Sequence, residues 1–530
     1  MCMHEMFFDC PYYEQQMYPG DSRVQYLVCG LFDTEDRMVR NAMTLYDADR
    51  RANGLVPMNC PTRGTQDALG FSECEAMMFG DYAWQHANRD WLKARLPGLN
   101  HTLMGMATYE NADGLLGKTP GWNFVDWVSG WDMPGEEGGI PPDGNSERPN
   151  AEINLQYLHA VRSAVLAEEA IGDRALADYW RAKERRLAAA IKKAFWDPSR
   201  SLFASEVSHR KFSEHAQCLA LLGDVVTGDE AAQCFQALTE ATDLARGTIY
   251  YKHYLFATFF KFGRADLFFK NLTFWKNCRD WGLSTILENP WTDSRSDCHG
   301  WGSHPLWHLH TGVAGVRSAA PWYEKVLVAP QPAHLKFIRS STPTPKGNVV
   351  LDLRFDGGRA SGTVTLPDGL DGTFRWNGVE RPLKSGENAV GLPCVYKENG
   401  RAKTHIAVKN LADGSVAERD YPVIVDYRPV RVKFTVPQYR DAFYPGQCAD
   451  EVRGRLKVAG GAKAKLTFEG PGFATRTAEI DGEGDFAFDT KGFERGEAWL
   501  TVEAGELKER FRVRNLPPTD HDMVWIENGR

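Results

Sequence analysis

The spacing of apolar residues in this 530-residue chain changes near residue 322, and this change constrains the fold more than any other feature. Before it, apolar side chains recur every three or four residues, which is the period of a helix with one buried face. After it they alternate, as Val349, Leu351, Leu353 and Phe355 do, which is the period of a strand. The chain is therefore predicted to be multidomain, with a helical part followed by antiparallel β-sandwich domains.

The helical part contains about eleven periodic segments, mostly joined by short turns that carry Gly, Pro, Asp or Asn. We predict helices at about 22–31, 35–50, 72–88, 97–110, 150–171, 175–194, 213–223, 229–240, 249–262, 264–279 and 299–314. A barrel of six helical hairpins needs two helices per hairpin, so we expect most of the first helix to be absent. Two connections, 111–149 and 280–298, are long, and long loops in compact domains are usually functional.

The strand-like part consists of short runs separated by Gly and Asp turns, and it falls into two stretches. The predicted domains are residues 1–322, a helical domain that is incomplete at its N-terminus, residues 323–394, a β-sandwich, and residues 395–530, a second, immunoglobulin-like β-sandwich. A chain of this length is expected to form more than one domain.

Composition excludes several classes of partner. The formal net charge of -8 comes without any basic tract, so no nucleic-acid partner is expected. Apolar runs stay shorter than the roughly 18 residues of a membrane helix, so no membrane partner is expected. The 11 Cys residues form no CxxC pairs and predict no disulfide framework. The start of the chain lacks signal-peptide features, which leaves cytoplasmic and periplasmic locations both open.

An acidic segment near the N-terminus, DCPYYEQQMYPGD, carries Asp9, Glu14 and Asp21. Its prolines and glycine argue against one continuous helix, so a folded loop can bring the three acids together. Like charges in one site favour the protonated form of one member, as a general acid requires. Glu14 is therefore a candidate acid, although an exposed acidic loop would have a similar composition.

A second acidic segment, LENPWTDSRSDCHGW, ends the helical part and carries Glu288. Glu288 follows a predicted helix and precedes Pro290, which places it on a loop, where catalytic groups often lie. Cleavage of a glycosidic bond needs two carboxyl groups, one to protonate the leaving oxygen and one to activate water or attack carbon. The pair Glu14 and Glu288 fits that need, while surface acids without a catalytic role are common.

The long loop GWNFVDWVSGWDMPGEEGG places Asp126 beside Trp127. A carboxylate next to an indole suits a sugar subsite, since the carboxylate accepts hydrogen bonds from hydroxyl groups and the ring packs on the sugar. The other interpretation is structural, with the Trp residues holding the loop against the barrel. Both interpretations stay open at this point.

A metal site is an alternative reading of the second segment. Its cysteine and histidines, Cys298, His299, His304, His308 and His310, lie within thirteen residues, and zinc uses such ligands. Their spacing fits no standard closed site, and His308 and His310 cannot share a helical face. We therefore expect no metal and no cofactor. Phosphate-binding glycine loops and a GxSxG motif are missing from the sequence.

These motifs resemble glycoside hydrolase family 78, the bacterial α-L-rhamnosidases, over roughly residues 1–395. The family carries a segment of the form D-C-P-x-R-E-x-x-G-W-x-G-D. The matching residues here are Asp9, Cys10, Pro11, Glu14, Gly20 and Asp21. The resemblance implies an (α/α)6 barrel of helical hairpins and inverting hydrolysis, with Glu14 as general acid and Glu288 as general base. It implies sugar-binding roles for Asp9, Asp21, Asp126, Trp127, His299 and Trp301.

The chain departs from the family pattern at three positions that border the sugar pocket. Tyr13 stands where the family usually has Arg, Met17 where it has Gly, and Tyr18 where it has Trp. Rhamnose is therefore less strongly indicated as the substrate than glycoside hydrolysis itself. Family members also carry N-terminal β domains, which we expect to be absent from this chain.

The sequence thus predicts an exo-acting, inverting glycoside hydrolase that cleaves terminal α-L-rhamnosyl residues from glycans or glycosides. A carbohydrate is the expected partner. Three alternatives remain: hydrolysis of another terminal sugar on the same barrel, a catalytically inactive carbohydrate-binding relative, and a zinc-binding protein.

Overall fold

A computed structural model describes residues 1–517 except 33, 63–65, 132–137, 292–293, 357–358, 377–378, 392–393, 397–400, 411–415, 425–429, 439–440, 459–460 and 506. The chain forms two compact units. The first comprises Met1–Leu392 with Ile406–Glu418, and the second comprises Pro393–His405 with Arg419–Arg530.

The first unit begins with a helical region. Its helices are α1 (Pro19–Cys29), α2 (Arg37–Ala48), α3 (Leu69–Gln85), α4 (Arg89–Ala107), α5 (Ala151–Ile171), α6 (Arg174–Phe195), α7 (Glu214–Leu222), α8 (Gly228–Glu240), α9 (Lys252–Lys261), α10 (Ala265–Lys270), α11 (Thr273–Asp280) and α12 (Pro305–His308). The predicted segment 264–279 is two helices, since the turn at Asn271 and Leu272 separates α10 from α11. The predicted segment 299–314 is three short pieces, because α12 lies between a 3-10 turn, Gly300–Ser303, and a π turn, Leu309–Val313.

Six of these helices form a closed inner ring. Each inner helix contacts the next in the order α1, α3, α5, α7, α9, α12, and α12 contacts α1 again. Helices α3, α5 and α7 are buried on nearly all sides, as helices between two layers must be. Helices α2, α4, α6, α8 and α10 each contact an inner helix from outside, and α2, α6 and α8 bury only one face. The fold class is the predicted one, a barrel of helical hairpins followed by β-sheets.

Local signals in the sequence fix the hairpin turns. Gly172 ends α5 with a φ of 94°, a conformation that glycine adopts without steric penalty. The next residue, Asp173, accepts a hydrogen bond from the backbone N–H of Leu176 and so caps α6. The predicted break at Gly172 and Asp173 is confirmed. In the part of the chain that the structure describes, no helix is long and apolar enough to cross a membrane.

Strands of the first unit follow the barrel, apart from a short hairpin between α6 and α7. They are β1 (Trp196–Asp197), β2 (Leu202–Phe203), β3 (Val316–Ser318), β4 (Lys325–Val328), β5 (Phe337–Thr344), β6 (Gly347–Asp356), β7 (Arg359–Leu366), β8 (Asp371–Trp376), β9 (Val379–Leu383) and β10 (Gly386–Gly391). One sheet has the order β3-β4-β8-β9, with β4 and β8 parallel. The other pairs β5, β6, β7 and β10 in antiparallel register.

The alternation predicted for one of these strands is confirmed. Val349, Leu351, Leu353 and Phe355 of β6 are all buried, whereas Val350 is exposed. Further along the chain lie β11 (Cys394–Tyr396), β12 (Arg401–Asn410) and β13 (Val416–Ile424). Asn388 of β10 pairs with Asn410 of β12, which carries this sheet past residue 394. The three predicted domain ranges stay a prediction.

The second unit contains a two-sheet sandwich. Its strands are β14 (Val430–Val436), β15 (Ala442–Phe443), β16 (Glu451–Val458), β17 (Lys463–Glu469), β18 (Arg476–Asp481), β19 (Glu483–Asp489), β20 (Gly496–Ala504) and β21 (Leu507–Asn515). One sheet has the order β14-β16-β19 and the other β15-β21-β20-β17-β18. Alternate residues of both sheets, such as Leu456 and Leu500, form one apolar core.

One buried acid of the inner ring yields a stability prediction. Glu73 of α3 is fully buried, and neither of its carboxylate oxygens has a hydrogen-bond partner among the described residues. Burial raises the pKa of Glu73 well above its usual range. The folded state therefore holds this proton more tightly than the unfolded state, and stability is lost as pH rises above the unfolded pKa, which is about 4.3. We expect Glu73→Gln to raise the melting temperature at pH 7.

The pH dependence identifies the cause of this effect. The gain from Glu73→Gln should shrink as the pH falls towards about 4, where the unfolded chain also carries the proton. Glu169→Gln, which removes an exposed carboxylate paired with Arg181, is the control and should change stability by less than about 0.5 kcal/mol. Calorimetry at both pH values measures the difference. An equal gain at pH 7 and pH 4 would contradict the assignment to ionisation.

Candidate active site

A cavity of about 400 Å³ in the helical region gathers the predicted site residues. Its wall combines carboxylates, aromatic rings and one guanidinium. The residues that line it are Asp9, Glu14, Tyr18, Asp21, Met58, Gln66, Phe71, Trp122, Phe124, Trp127, Gly138, Glu288, Arg295, His299 and Trp301. Every predicted site residue except Asp126 is among them.

The first acidic segment reaches the cavity as a closed loop before α1. The backbone N–H of Asp9 donates to the carbonyl oxygen of Gln16 at 2.8 Å, and the Gln16 N–H donates to Asp9 Oδ1 at 2.9 Å. The loop then enters α1 through Pro19, a residue suited to the first helical turn. Asp21 lies in that same turn, where the helix dipole favours a negative charge.

The second acidic segment is joined to the first by a backbone hydrogen bond. The N–H of Gly300 donates to the carbonyl oxygen of Asp9 at 2.7 Å. A side chain at residue 300 would collide with the side chain of Gln25, so any larger residue there would have to displace Gln25. The loop itself is closed by the N–H of Glu288, which donates to the Ser296 carbonyl oxygen at 3.0 Å.

Trp301 fixes the backbone of the candidate base. Its indole Nε1 donates to the carbonyl oxygen of Glu288 at 2.8 Å, and its ring stacks on Tyr250 with centroids 4.9 Å apart. Trp127 fixes the side chain, since its Nε1 donates to Glu288 Oε1 at 3.1 Å. The Glu288 side chain is only 2% exposed, so these contacts determine where its carboxylate lies.

Arg295 connects the two candidate catalytic carboxylates, and the sequence interpretation did not include it. Its Nε donates to Glu288 Oε2 at 3.0 Å and its Nη2 to Glu288 Oε1 at 3.1 Å. The same Nη2 forms an ion pair with Glu14 Oε1. Burial lowers the pKa of Arg295, but the contacts with Glu288 and Glu14 outweigh burial, so the pKa is raised. One feature of the sequence could have pointed to Arg295, because it is the only Lys or Arg in the second acidic segment.

The guanidinium of Arg295 also lies over a ring. Its Cζ is 5.1 Å from the ring centroid of Tyr13, a favourable distance for a cation–π contact. Tyr13 itself is largely exposed. Met17 is fully buried and is not among the residues that line the cavity, whereas Tyr18 lines it. Burial and a hydrogen bond to Glu14 raise the pKa of the Tyr18 hydroxyl.

Asp126 is the predicted site residue that the structure does not bring to the cavity wall. It is fully buried, and its carboxylate accepts hydrogen bonds from His215 Nε2 at 2.8 Å, from the Thr248 N–H at 2.7 Å and from the Thr248 hydroxyl. With these donors on its two oxygens, it holds the loop that carries Trp127. Asp126 thus contacts only protein groups among the described residues, whereas Trp127 lines the cavity, and its role there stays a prediction.

Three buried ionisable side chains, Asp9, Asp21 and His299, line the cavity. Burial, with Asp21 nearby, raises the pKa of Asp9 to about 6, and burial also raises the pKa of Asp21. His299 Nε2 lies 3.0 Å from Asp21 Oδ1. Burial lowers the pKa of His299, but the contact with Asp21 outweighs burial, so the pKa is raised. Asp9 Oδ2 is buried with no hydrogen-bond partner among the described residues, so it is available to accept a hydrogen bond from a ligand hydroxyl.

Aromatic side chains cover one side of the cavity. Phe124 lies 5.0 Å from Trp122, 4.9 Å from Trp127 and 5.8 Å from Phe71, all as ring-centroid distances. Tyr18 extends the group, 6.0 Å from Phe71. Such rings present apolar faces that suit the CH face of a pyranose. The sequence interpretation named neither Phe71 nor Phe124, although Phe124 lies in the long loop that carries Trp127.

The histidines that suggested a zinc site do not all lie together in the structure. His304 and His308 approach His253, which was not predicted, with one nitrogen of each ring within 4.8 Å of the others. His308 and His253 nitrogens are 3.2 Å apart, and burial lowers the pKa of all three rings. Among the described residues two groups have the geometry to hold a metal: these three rings, and Asp9, Cys10 and His299 in the candidate active site. The other three predicted ligands lie elsewhere: His299 at Asp21, His310 against Thr342, and Cys298 with its sulfur 3.7 Å from that of Cys2.

Comparison with known families identifies one match. The family described as the bacterial alpha-L-rhamnosidase 6 hairpin glycosidase domain matches residues 1–313. A search of curated proteins found no match.

Solved structures with a similar fold are rhamnosidases of low sequence identity. The glycoside hydrolase family 78 rhamnosidase of Bacillus sp. GL1 has a TM-score of 0.63 and 22% identity, covering 71% of this chain and 40% of that chain. The α-L-rhamnosidase of Aspergillus terreus has a TM-score of 0.64 and 16% identity, covering 74% and 48%. The α-L-rhamnosidase of Streptomyces avermitilis, complexed with L-rhamnose, has a TM-score of 0.59 and 15% identity, covering 78% and 38%. This chain spans less than half the length of each.

The buried contacts of Asp126 yield a second stability prediction. Asp126→Ala removes the acceptor for His215 and Thr248 and should lower the free energy of unfolding by about 3 kcal/mol, since buried polar partners are left unpaired. Urea denaturation measures it. Asp352→Ala, which breaks an exposed pair with Arg339, is the control and should cost less than about 1 kcal/mol. Equal effects of the two substitutions would show that Asp126 does not hold the loop.

Proposed function

This chain belongs to the bacterial alpha-L-rhamnosidase 6 hairpin glycosidase family, and on that premise we propose that it hydrolyses glycosidic bonds, with a terminal α-L-rhamnosyl residue as the group released. One observation supports this most strongly. Glu14 and Glu288, which are far apart in sequence, meet at the guanidinium of Arg295 on the wall of one cavity. Two carboxyl groups that flank a sugar-sized space are what glycoside hydrolysis requires.

Glu14 is proposed as the general acid. Its side chain is 16% exposed, so the leaving oxygen of an incoming glycoside has access to it from the cavity. The Tyr18 hydroxyl donates a hydrogen bond to the Glu14 carboxylate and so helps to orient it. In the reaction, Glu14 gives its proton to the glycosidic oxygen as the bond to the anomeric carbon breaks.

Glu288 is proposed as the general base. Trp127 and Trp301 hold its side chain and its backbone, so its carboxylate keeps one position while water is bound. Water loses a proton to Glu288 and its oxygen bonds to the anomeric carbon from the face opposite the leaving group. Asp9, Asp21, His299 and the aromatic side of the cavity hold the sugar, and Asp126 acts only through the loop that it anchors.

Arg295 has to move relative to one carboxylate for this reaction. Both carboxylates contact the same Nη2 atom, so their nearest oxygens are within about 6 Å of each other, two hydrogen-bond lengths. Inverting enzymes separate the two carboxyl groups by about 6.5–9.5 Å to admit water and sugar between them. A substrate that enters this gap displaces Arg295 from Glu14, which also frees Glu14 to carry the proton that it donates.

The size of the cavity supports action at the end of a glycan. A space of about 400 Å³ is at the small end of ligand pockets and suits a terminal residue better than the middle of a polymer. The guanidinium of Arg295 lies against Tyr13, the position where the resemblance leads one to expect Arg. Arg295, which comes from the second acidic segment, thus brings a positive charge close to the position where the family has an arginine. For this reason rhamnose remains the proposed sugar.

The first experiment is turnover of p-nitrophenyl glycosides. We expect release from the α-L-rhamnoside and a loss of at least about a hundredfold in kcat in both Glu14→Gln and Glu288→Gln, since each removes a proton-transfer group. Glu110→Gln, which changes a carboxylate outside the cavity, is the control and should retain turnover. Turnover of a different glycoside alone would replace the sugar and keep the mechanism.

The contact between Arg295 and both carboxylates also favours a second candidate, an inactive carbohydrate-binding relative. A guanidinium that stays between Glu14 and Glu288 would leave no path for water. Binding of rhamnose by folded protein without turnover of any glycoside, unchanged in Glu288→Gln, would support this candidate and reject hydrolysis.

Stereochemistry tests the inverting mechanism separately. Proton NMR during hydrolysis of the α-L-rhamnoside should show the β-anomer of the free sugar first, because water attacks the face opposite the leaving group. Mutarotation then produces the equilibrium mixture, so early time points decide. First appearance of the α-anomer would require a covalent intermediate and would make Glu288 a nucleophile.

A further inference from the structure

A second and larger cavity lies between the barrel and the first β-sheets, within the first unit. Its volume is about 1040 Å³, and it shares no lining residue with the candidate active site. Its walls come from the C-terminal ends of α3 and α9, from α12, and from strands β3 and β8. A space of this size, at the top of the usual range for ligand pockets, accommodates more than one sugar ring.

Arg317 of β3 lines this cavity without a partner for its charge. The side chain is largely buried, and in the described part of the chain no acceptor or carboxylate lies against its guanidinium. Burial, together with nearby Arg375, lowers the pKa of Arg317. A largely buried charge without a partner loses hydration that nothing replaces, so an anionic ligand at Arg317 would be stabilised.

The other cations of this wall are already paired. Lys261 contacts Asp224, and Arg375 contacts Glu380. The acid that lines the cavity, Asp266, is paired with Arg264. Among the described lining residues, Arg317 therefore carries the charge that remains uncompensated.

Two indole N–H groups on the same wall also lack acceptors. The Nε1 atoms of Trp84 and Trp376 are buried and have no hydrogen-bond partner among the described residues. Buried polar groups are normally satisfied, and unsatisfied ones call for an explanation. Together with Arg317 they form a set of donors that matches the oxygens of an anion.

One unpartnered acceptor completes the set. Gln331 Oε1 is buried without a donor, while its Nε2 donates to the Phe260 carbonyl oxygen at 2.8 Å. A simple anion has no hydrogen to offer this oxygen, but a hydroxyl group does. The Trp84, Trp307 and Trp376 rings on the wall supply apolar faces of the kind on which a pyranose packs.

We propose that this cavity binds an acidic carbohydrate, a uronate-bearing oligosaccharide whose carboxylate lies at Arg317 and whose hydroxyl groups reach Gln331. The carboxylate accepts from the guanidinium and the indole N–H groups, and the sugar rings pack on the Trp side chains. The site is separate from the catalytic cavity and does not depend on the proposed hydrolysis.

Calorimetry on the full chain tests the site with a defined probe. A tri-galacturonate should bind at least about tenfold more tightly than the neutral galactose trimer, because a charge-assisted hydrogen bond is absent from the neutral sugar. Arg317→Gln should weaken the tri-galacturonate about ten- to a hundredfold. Arg339→Gln, an exposed arginine of β5, and Glu288→Gln should leave it unchanged, which separates this site from the active site.

Stability distinguishes a binding role from a structural one. Without ligand, Arg317→Gln should melt at the same temperature as the parent or higher, because it removes a buried charge that nothing pairs. Trp376→Phe keeps an aromatic ring, removes the N–H donor and should weaken binding of the trimer about two- to tenfold, which tests the site even if Arg317→Gln does not fold. Equal affinity for the neutral trimer, equal affinity for inorganic phosphate alone, or full affinity in both variants would overturn the proposal.

Discussion

Closure of the inner helical ring is the constraint on which the rest of this structure depends. The short helix α12 contacts both α9 and α1, so residues close to the N-terminus meet residues near 300. The hydrogen bond from Gly300 to Asp9 marks that junction. Because the ring closes there, Glu14 and Glu288 face one cavity, and Trp127 of the aromatic loop donates a hydrogen bond to Glu288. Without that closure neither acidic segment would be more than a charged loop.

The distribution of charge follows from burial at this junction. Cationic or hydrogen-bonding partners stabilise buried carboxylates here, since His299 contacts Asp21 and Arg295 contacts Glu288. Arg295 is the counter-ion that both candidate catalytic residues share, and in the proposed reaction it also controls access to the gap between them. The second cavity differs, since Arg317 has no carboxylate partner among the described residues, and in our proposal a ligand supplies one.

Sequence spacing predicted the helices well where an amphipathic period continued over several turns. The breaks at Gly172 and Asp173 were recognisable because glycine and a capping residue have defined local roles. Prediction failed where the backbone changes type within a few residues, as it does around α12, whose short pieces are stabilised by contacts with the barrel rather than by their own period. Asp126 shows the corresponding limit for the site, because the motif was recognised but the direction of its side chain depends on His215 and Thr248, which are distant in sequence.

The sequence by itself determined the order of helices and strands and the acidic motifs, because periodicity and residue chemistry are local properties. It also supplied the candidate pair Glu14 and Glu288, since the two motifs carry their carboxyl groups in recognisable company. Only the tertiary structure decided which residues share the cavity with them. Arg295 between the two carboxylates, Asp126 behind the wall and Arg317 in the second cavity are consequences of ring closure and packing, and such contacts join residues whose spacing along the chain carries no signal.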